Sequence, residues 1–247
     1  MNIKIFQWNF FYKENPDNII QLIKKISPDL ITAQELFQNS EKNLDTAKYI
    51  AEKLNYYYFY KEAETWFPAK NNKTCQGNAI FSRYPITHSR FVYLSPLHHN
   101  PPDANYEGRV YVESEIQIKN KLLTVGTTHL SFSPKFVITE RRIKEFNNLM
   151  LAIKNNKKLF VFSGDLNCSP TSYVIKKLSK YFVPAGPNYN EPTWTTKPFD
   201  YHGQFKEDKL CWRLDYVFVT KDIKIIESQI IKTDYSDHLP ILLTISL

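Results

Sequence analysis

The chain has 247 residues, of which 43% are apolar, 15% aromatic and 23% charged, the balance of a globular protein with a sizeable core. That composition excludes a disordered or collagen-like chain, and no apolar run approaches the roughly 18 residues of a membrane span. Lys and Arg total 32 against 25 Asp and Glu, a net charge of +7, which favours an anionic partner such as nucleic acid or a lipid head group.

The elements are expected in this order. Ile3–Asn9 reads as a strand that begins almost at the first residue, with no secretory leader pattern before it. Asn15-Pro16 opens a helix whose Ile19, Leu22, Ile23 and Ile26 fall on one face, and Ser27-Pro28 ends it. Leu30–Gln34 is a short buried strand, and Leu44, Ala47, Ala51 and Leu54 stripe a second helix. Tyr56–Tyr60 and Asn78–Ser82 are strands. Arg109–Ile118 alternates, with Val110, Val112, Ser114, Ile116 and Ile118 on one side, and a Lys119-Asn120-Lys121 turn joins it to Leu122–Thr128 as a hairpin. Ile143, Phe146, Met150 and Ile153 stripe a long helix on which Arg141-Arg142 are expected to face solvent. Leu159–Ser163, Leu214–Thr220, Ile223–Ile231 and Ile241–Ser246 complete the strands.

Helices between strands, together with hairpins, predict an α/β (α+β) four-layer sandwich: two mixed β-sheets packed face to face with helices on the outside. With no Gly/Ser linker, repeat or low-complexity tract, residues 1–247 are expected to form one domain, acting as a monomer. Three stretches lack a period, 61–77, 95–108 and 183–212, and they hold the aromatic residues Trp66, Phe67, Trp194, Phe199, Tyr201 and Trp212. Cys75, Cys168 and Cys211 are odd in number and far apart, so no disulfide framework is expected and a reducing cytoplasm is the simplest location. Cys168 is read as a buried thiol, not a nucleophile.

Polar residues recur where apolar strands end: Asn9, Glu35, His129, Asp165 with Asn167, Asp215, and Asp237-His238. Rigid strand ends are suited to hold catalytic groups. Carboxylates, carboxamides and two histidines match Mg²⁺ or Mn²⁺, whereas the cysteines lack the paired spacing of a zinc site. There is no phosphate-binding loop of the nucleotide triphosphatases, no dinucleotide fingerprint and no serine-hydrolase elbow. A carboxylate beside an imidazole holds its tautomer and raises its basicity, which makes Asp215 and His238 a candidate general-base pair.

Trp8-Asn9, Gln34-Glu35, Gly77-Asn78-Ala79-Ile80-Phe81-Ser82-Arg83-Tyr84-Pro85, Thr128-His129-Leu130, Gly164-Asp165-Leu166-Asn167, Arg213-Leu214-Asp215-Tyr216 and Ser236-Asp237-His238-Leu239-Pro240 follow one another along the chain. In that order they resemble the endonuclease/exonuclease/phosphatase superfamily, and the resemblance spans nearly the whole sequence. It implies divalent-metal-dependent hydrolysis of phosphate esters. Glu35 then resembles the principal metal ligand, with Asn9 and Asp237 as its companions. Asp165 and Asn167 resemble the pair that orients water and phosphoryl oxygens. Asp215 resembles the partner of His238, and His129 a phosphate-binding or leaving-group histidine acting as imidazolium. Arg109, Asn78 and Trp194 are the expected substrate contacts. A histidine in Thr128-His129-Leu130 resembles the deoxyribonuclease-like, sphingomyelinase-like, deadenylase-like and tyrosyl-DNA-phosphodiesterase-like branches. Apurinic-site endonucleases carry tyrosine in that region, and some members carry Asp where this chain has Phe11. The leading expectation is a nuclease or DNA-adduct phosphodiesterase without stable membrane insertion. The alternatives are a phospholipid or inositol-phosphate hydrolase, with Trp66-Phe67-Pro68 dipping into an interface, and an inactive nucleic-acid-binding module.

Overall fold

The computed structural model describes residues 1–40, 43–66, 74–95, 99–100, 108–154 and 159–247. The first strand, β1 (Asn2–Asn9), leads into α1 (Pro16–Ile26), and β2 (Leu30–Asn39) returns parallel to β1. Asn15 caps α1 by accepting the Asp17 N–H, and Pro16 occupies the first turn, where a missing donor costs nothing. β3 (Leu44–Asp45), α2 (Thr46–Leu54), β4 (Tyr57–Trp66), β5 (Thr74–Ser82), β6 (Ile86–Ser95) and β7 (His99–Asn100) follow. The hairpin of β8 (Arg109–Ile118) and β9 (Lys121–His129) turns at Lys119-Asn120, with Lys119 left-handed at φ 53°. Then come α3 (Glu140–Ile153), β10 (Phe160–Asp165), α4 (Tyr173–Tyr181) and the short β11 (Val183–Pro184), β12 (Phe199–Tyr201) and β13 (Phe205–Glu207). The chain ends with β14 (Asp215–Val219), β15 (Lys224–Ile230) and β16 (Ile241–Ser246).

Among the described residues these strands form an eight-stranded sheet in the order β15-β16-β1-β2-β5-β4-β7, with β3 added to β2, and a six-stranded sheet in the order β11-β14-β10-β9-β8-β6. Each sheet contains a parallel pair joined through a helix, β1 with β2 across α1 and β9 with β10 across α3, and antiparallel neighbours. Ile5, Leu30, Ile80, Val112, Val125, Val161, Val217 and Leu243 meet between the sheets. Phe6, Trp8 and Phe81 pack outward with α1 and α2 residues, and Tyr111, Phe160 and Phe162 with those of α3 and α4. The result is the four-layer sandwich of two mixed sheets. No helix among the described residues is long and apolar enough to cross a membrane.

Four expectations need correction. Leu44, expected on the stripe of the second helix, pairs with Asn39 in β3, because Asp45 caps α2 and the helix starts only at Thr46. Ile143 is 38% exposed, and the buried face of α3 runs instead through Arg142, Phe146, Leu149 and Ile153. Arg142 faces inward, not solvent, because loop carbonyls satisfy its guanidinium: Ser131 O accepts from Nε and Nη2 at 3.0 and 2.6 Å, and Phe136 O and Val137 O accept from Nη1. The stretch 183–212 is built rather than loose, with β12 and β13 forming a small hairpin over Phe136, Trp194, Phe205 and Leu214. Two elements without a sequence expectation, β6 and α4, complete the second sheet and its helical cover. Phe67 and Pro68 of the expected interfacial loop, and most of 95–108, lie outside the described residues.

Candidate active site

The polar strand ends meet because of strand direction. β1, β9 and β10 carry Asn9, His129 and Asp165 at their C-terminal ends, and Gln34-Glu35 lies midway along β2, level with the end of β1. β14 is antiparallel to β10, so its first residue, Asp215, sits in register with Asp165. Asp237-His238 precedes β16, which is antiparallel to β1. Arg109 opens β8, antiparallel to β9. All therefore reach one rim of the sandwich.

Local backbone chemistry sets each group. Glu35 stands at a bulge where the pairing of β2 with β5 slips between Ala33 and Leu36, in a left-handed conformation with φ 58°. A non-glycine residue in that region is strained and is characteristic of a site that re-aims a side chain. Gly164, at φ 155°, lets β10 approach β9: a Cβ there would stand 2.1 Å from the Thr128 carbonyl oxygen. Asn167 is left-handed, as asparagine tolerates, and its N–H donates to Asp165 Oδ1 at 3.0 Å. Tyr216 ties this turn down by donating to Cys168 O and Arg213 O. The Trp8 indole donates to His238 O at 2.8 Å, and Ser236 Oγ donates to Asn9 O while accepting the His238 N–H.

Asp165 Oδ2 is the hub. Asn9 Nδ2 donates to it at 3.2 Å, His129 Nε2 lies 3.3 Å away and His238 Nε2 3.5 Å away. His238 Nδ1 meets Asp215 Oδ2 at 2.8 Å, which assigns the Nδ1 proton and leaves Nε2 facing Asp165. Asn9 also donates to Glu35 Oε1 at 2.9 Å, and its own oxygen accepts the Phe11 N–H. Asn9 Nδ2 thus arranges the two carboxylates. Asn167 Nδ2 lies 2.9 Å from both His129 Nε2 and Leu130 O.

Burial pushes Asp165 up to about 7, with the charges of Asp215 and Glu35 adding to the effect against His238 and the Asn167 N–H. Burial and the neighbouring Asp237 likewise raise Glu35. Burial opposes protonation of His238, but Asp215, Asp165 and Asp237 outweigh it and hold the ring well above the usual imidazole range. Burial, Arg109 and His238 push His129 the other way, well below that range. That direction runs against the imidazolium form expected for His129 from the sequence.

Of the expected substrate contacts, Asn78 and Trp194 are engaged in the interior, while Arg109 lies at the site. Asn78 is buried and donates to Val110 O at 2.8 Å, joining the sheets. Trp194 is only 3% exposed and offers no stacking face; its indole donates to Asp237 Oδ2 at 3.1 Å. Arg109 is buried beside His129. Cys168 is an inert thiol, raised to about 12 by burial. Two groups escaped the sequence reading: Arg142, and Glu145, which accepts from the Ser131 N–H and hydroxyl and from Arg141 Nε. Together they clamp the segment that follows His129.

The donor set suits a hard divalent cation. Glu35 and Asp237 are oxygen donors close enough for Asp237 to disfavour the charge on Glu35, a repulsion that a cation between them would relieve. Asp165, Asp215 and His238 also place ligand atoms within 4.8 Å of one another. Asp215 is committed to Gln7 and His238 through its two oxygens.

Carboxylates, carboxamides and an Asp-backed histidine on one rim of a two-sheet sandwich are the working groups of a phosphoester hydrolase as a class. The chain belongs to the endonuclease/exonuclease/phosphatase family, whose model matches residues 6–238. Among solved structures it is similar to an endonuclease/exonuclease/phosphatase from Beutenbergia cavernae (TM-score 0.75, 18% identity, covering 100% of this chain and 72% of that one). It is also similar to the human Nocturnin catalytic domain (TM-score 0.71, 19% identity, 99% and 93% covered). A third is the mannosyl-6-phosphatase Bt3783 of Bacteroides thetaiotaomicron (TM-score 0.71, 16% identity, 99% and 100% covered). At these identities the likeness is one of fold. No curated protein matches the sequence.

Proposed function

We propose that the chain is a divalent-metal-dependent phosphodiesterase that cleaves a phosphate ester by in-line attack of water, with nucleic acid or a nucleic-acid adduct as its substrate. The observation that carries this reading is the buried row Asp215–His238–Asp165, in which His238 Nε2 faces Asp165 Oδ2 across 3.5 Å. A water held by both accepts orientation from Asp165 and gives a proton to His238 Nε2, while Asp215 steadies the Nδ1–H and the charge that develops. A cation on Asp237 would weaken the hold on the His238 Nε2 proton, since Asp237 is one of the carboxylates that raise the ring. Glu35 and Asp237 would hold Mg²⁺ or Mn²⁺, which when bound supplies charge neutralisation for the phosphate and leaving oxygens. Asn9 keeps Glu35 and Asp165 apart and aimed. His129 and Arg109 receive the phosphoryl oxygens, and Asn167 holds the His129 ring in place. The products are an alcohol and a phosphate monoester, with no covalent enzyme intermediate.

Nucleic acid is favoured by the net charge of +7 and by a basic, aromatic rim next to Glu35. The Tyr12 N–H donates to Glu35 Oε2, Lys13 lies over the Phe11 and Tyr12 rings, and Lys197 lies over Phe11. A sugar phosphate is the second reading, supported by the likeness to a mannosyl-6-phosphatase. The intact carboxylate cluster argues against an inactive binding module, since like charges held together are costly without a function. Site residues drawn from both sheets support one domain working as a monomer, and three cysteines without a disulfide suit the cytoplasm.

The test is a panel of single- and double-stranded DNA, RNA, 5′-tyrosyl DNA, sphingomyelin, inositol phosphates and mannose 6-phosphate, each with Mg²⁺ and with EDTA. Cleavage of a nucleic-acid substrate only with Mg²⁺ is expected. Turnover confined to lipid or sugar phosphates would overturn the substrate, and full turnover in EDTA would overturn the metal.

A further inference from the structure

We infer that Gln7 is a positioning residue for the Asp215–His238 pair, the working end of a carboxamide chain that crosses from one sheet to the other. This rests on the proposed role of His238 as base. Gln7 lies two residues before Asn9 on β1, is fully buried, and points into the space between the sheets like Ile3 and Ile5 below it. Its Nε2 donates both hydrogens, one to Gln34 Oε1 at 2.9 Å and one to Asp215 Oδ1 at 3.0 Å. Gln34 in turn donates from Nε2 to Thr127 Oγ1 at 2.8 Å. The chain therefore runs Thr127, Gln34, Gln7, Asp215, His238, and every group in it is buried.

Two features set this apart from ordinary core satisfaction. First, the donor sense is determined. Turning the Gln7 amide over would set its oxygen against the Asp215 carboxylate, acceptor to acceptor, so the carboxylate selects the orientation. Second, Gln7 Oε1 has no hydrogen-bond partner among the described residues. Buried amide oxygens are normally paired, and leaving one unpaired destabilises the fold. An apolar side chain would continue the Ile3–Ile5 column without that penalty. What the amide provides is a donor on Asp215 Oδ1. With His238 Nδ1 on Oδ2, both carboxylate oxygens are held and the group cannot rotate about its Cβ–Cγ bond. The Asp215 plane then fixes the His238 ring, and so where Nε2 points.

The test is a double-mutant cycle on Mg²⁺-loaded protein with bis(4-nitrophenyl) phosphate, combining Gln7→Met with Asp215→Asn. Gln7→Met keeps the volume and removes both donors. Alone it should lower kcat about 10- to 100-fold with KM within about twofold of wild type, the scale expected when a catalytic group is misplaced by a fraction of an ångström. In the Asp215→Asn background it should change kcat by less than about threefold, because there is no carboxylate left to hold. A merely structural role would cost the same factor in both backgrounds; that result, or an unchanged kcat in the single variant, overturns the inference. If Gln7→Met does not fold, Gln34→Met, one step further along the chain, takes its place in the same cycle. A second readout is independent of turnover. The His238 Nδ1–H resonance of ¹⁵N-labelled protein should shift or broaden in Gln7→Met, and an unmoved, sharp signal would overturn the inference. If Asp215→Asn retains wild-type turnover, the proposed base pair fails, and the resonance alone decides the role of Gln7.

Discussion

The two ends of the space between the sheets differ although the same strands line both. Inward positions on β1 run Ile3, Ile5, Gln7, Asn9; on β9 they run Leu123, Val125, Thr127, His129; on β10, Val161, Ser163, Asp165. The period does not change along a strand, but the chemistry does. At the apolar end, side chains interdigitate without partners to satisfy. One layer up, Thr32 and Ser163 hydrogen-bond across the sheets at 2.7 Å, beside the Gln34–Thr127 contact. At the rim, carboxylates and histidines face one another. The apolar end supplies stability, and the rim holds groups that would be more stable in water.

Substitutions at the two ends should separate activity from stability. The largest effect is expected from Asp215→Asn, which leaves His238 without its anionic partner. Its kcat should fall about 10²- to 10⁴-fold at near-normal melting temperature, and a normal kcat would remove the pair from the chemistry. At the other end, Leu243→Ala should cost about 2–5 kcal/mol by leaving a cavity, while the folded fraction keeps its kcat. Urea unfolding with parallel assays checks both halves of that statement, and a loss of kcat without a loss of stability would contradict it.

A smaller effect concerns the pH dependence of stability at the rim. Because Asp165 is raised in the folded protein, folding favours its protonated form, and stability is lost as pH climbs from the unfolded carboxylate range through about 7. In EDTA, Asp165→Asn should therefore stabilise the protein at pH 8, and the gain should shrink as pH falls toward 5. A gain independent of pH would show that the carboxylate is not strained. The smallest expected effect is at the surface. Affinity for single-stranded DNA should fall as salt rises, with a slope in log–log form of about 0.7 per phosphate contacted, and a flat response would count against backbone recognition.

Much of the rim was legible because it obeys period two. A strand ending in a polar residue, repeated on several strands, can point to one place only if those strands share a direction, and Asn9, His129 and Asp165 do. Gln7 carried the same signal, a polar residue on the inward side of an apolar column, but nothing local to it indicates Asp215, which lies 208 positions away. Arg142 and Glu145 were hidden for a related reason. A charged residue on a helix reads as solvated unless the carbonyls and hydroxyl that satisfy it are known, and here they come from residues 131–137. Trp194 looked like a loop aromatic, yet Phe136, Phe199 and Phe205 close over it. β6 escaped because an edge strand with exposed residues on both faces has little period, and α4 because only Val174, Ile175 and Leu178 mark its buried side.

The most direct measurement compares wild type with His238→Ala for Mg²⁺ binding by calorimetry and for hydrolysis of bis(4-nitrophenyl) phosphate, with and without EDTA. Wild type should turn over only with the cation, and His238→Ala should bind Mg²⁺ as wild type does yet show almost no turnover. Wild-type hydrolysis that persists in EDTA, or a His238→Ala variant that hydrolyses at the wild-type rate, would contradict a rim built to deliver water to a phosphate.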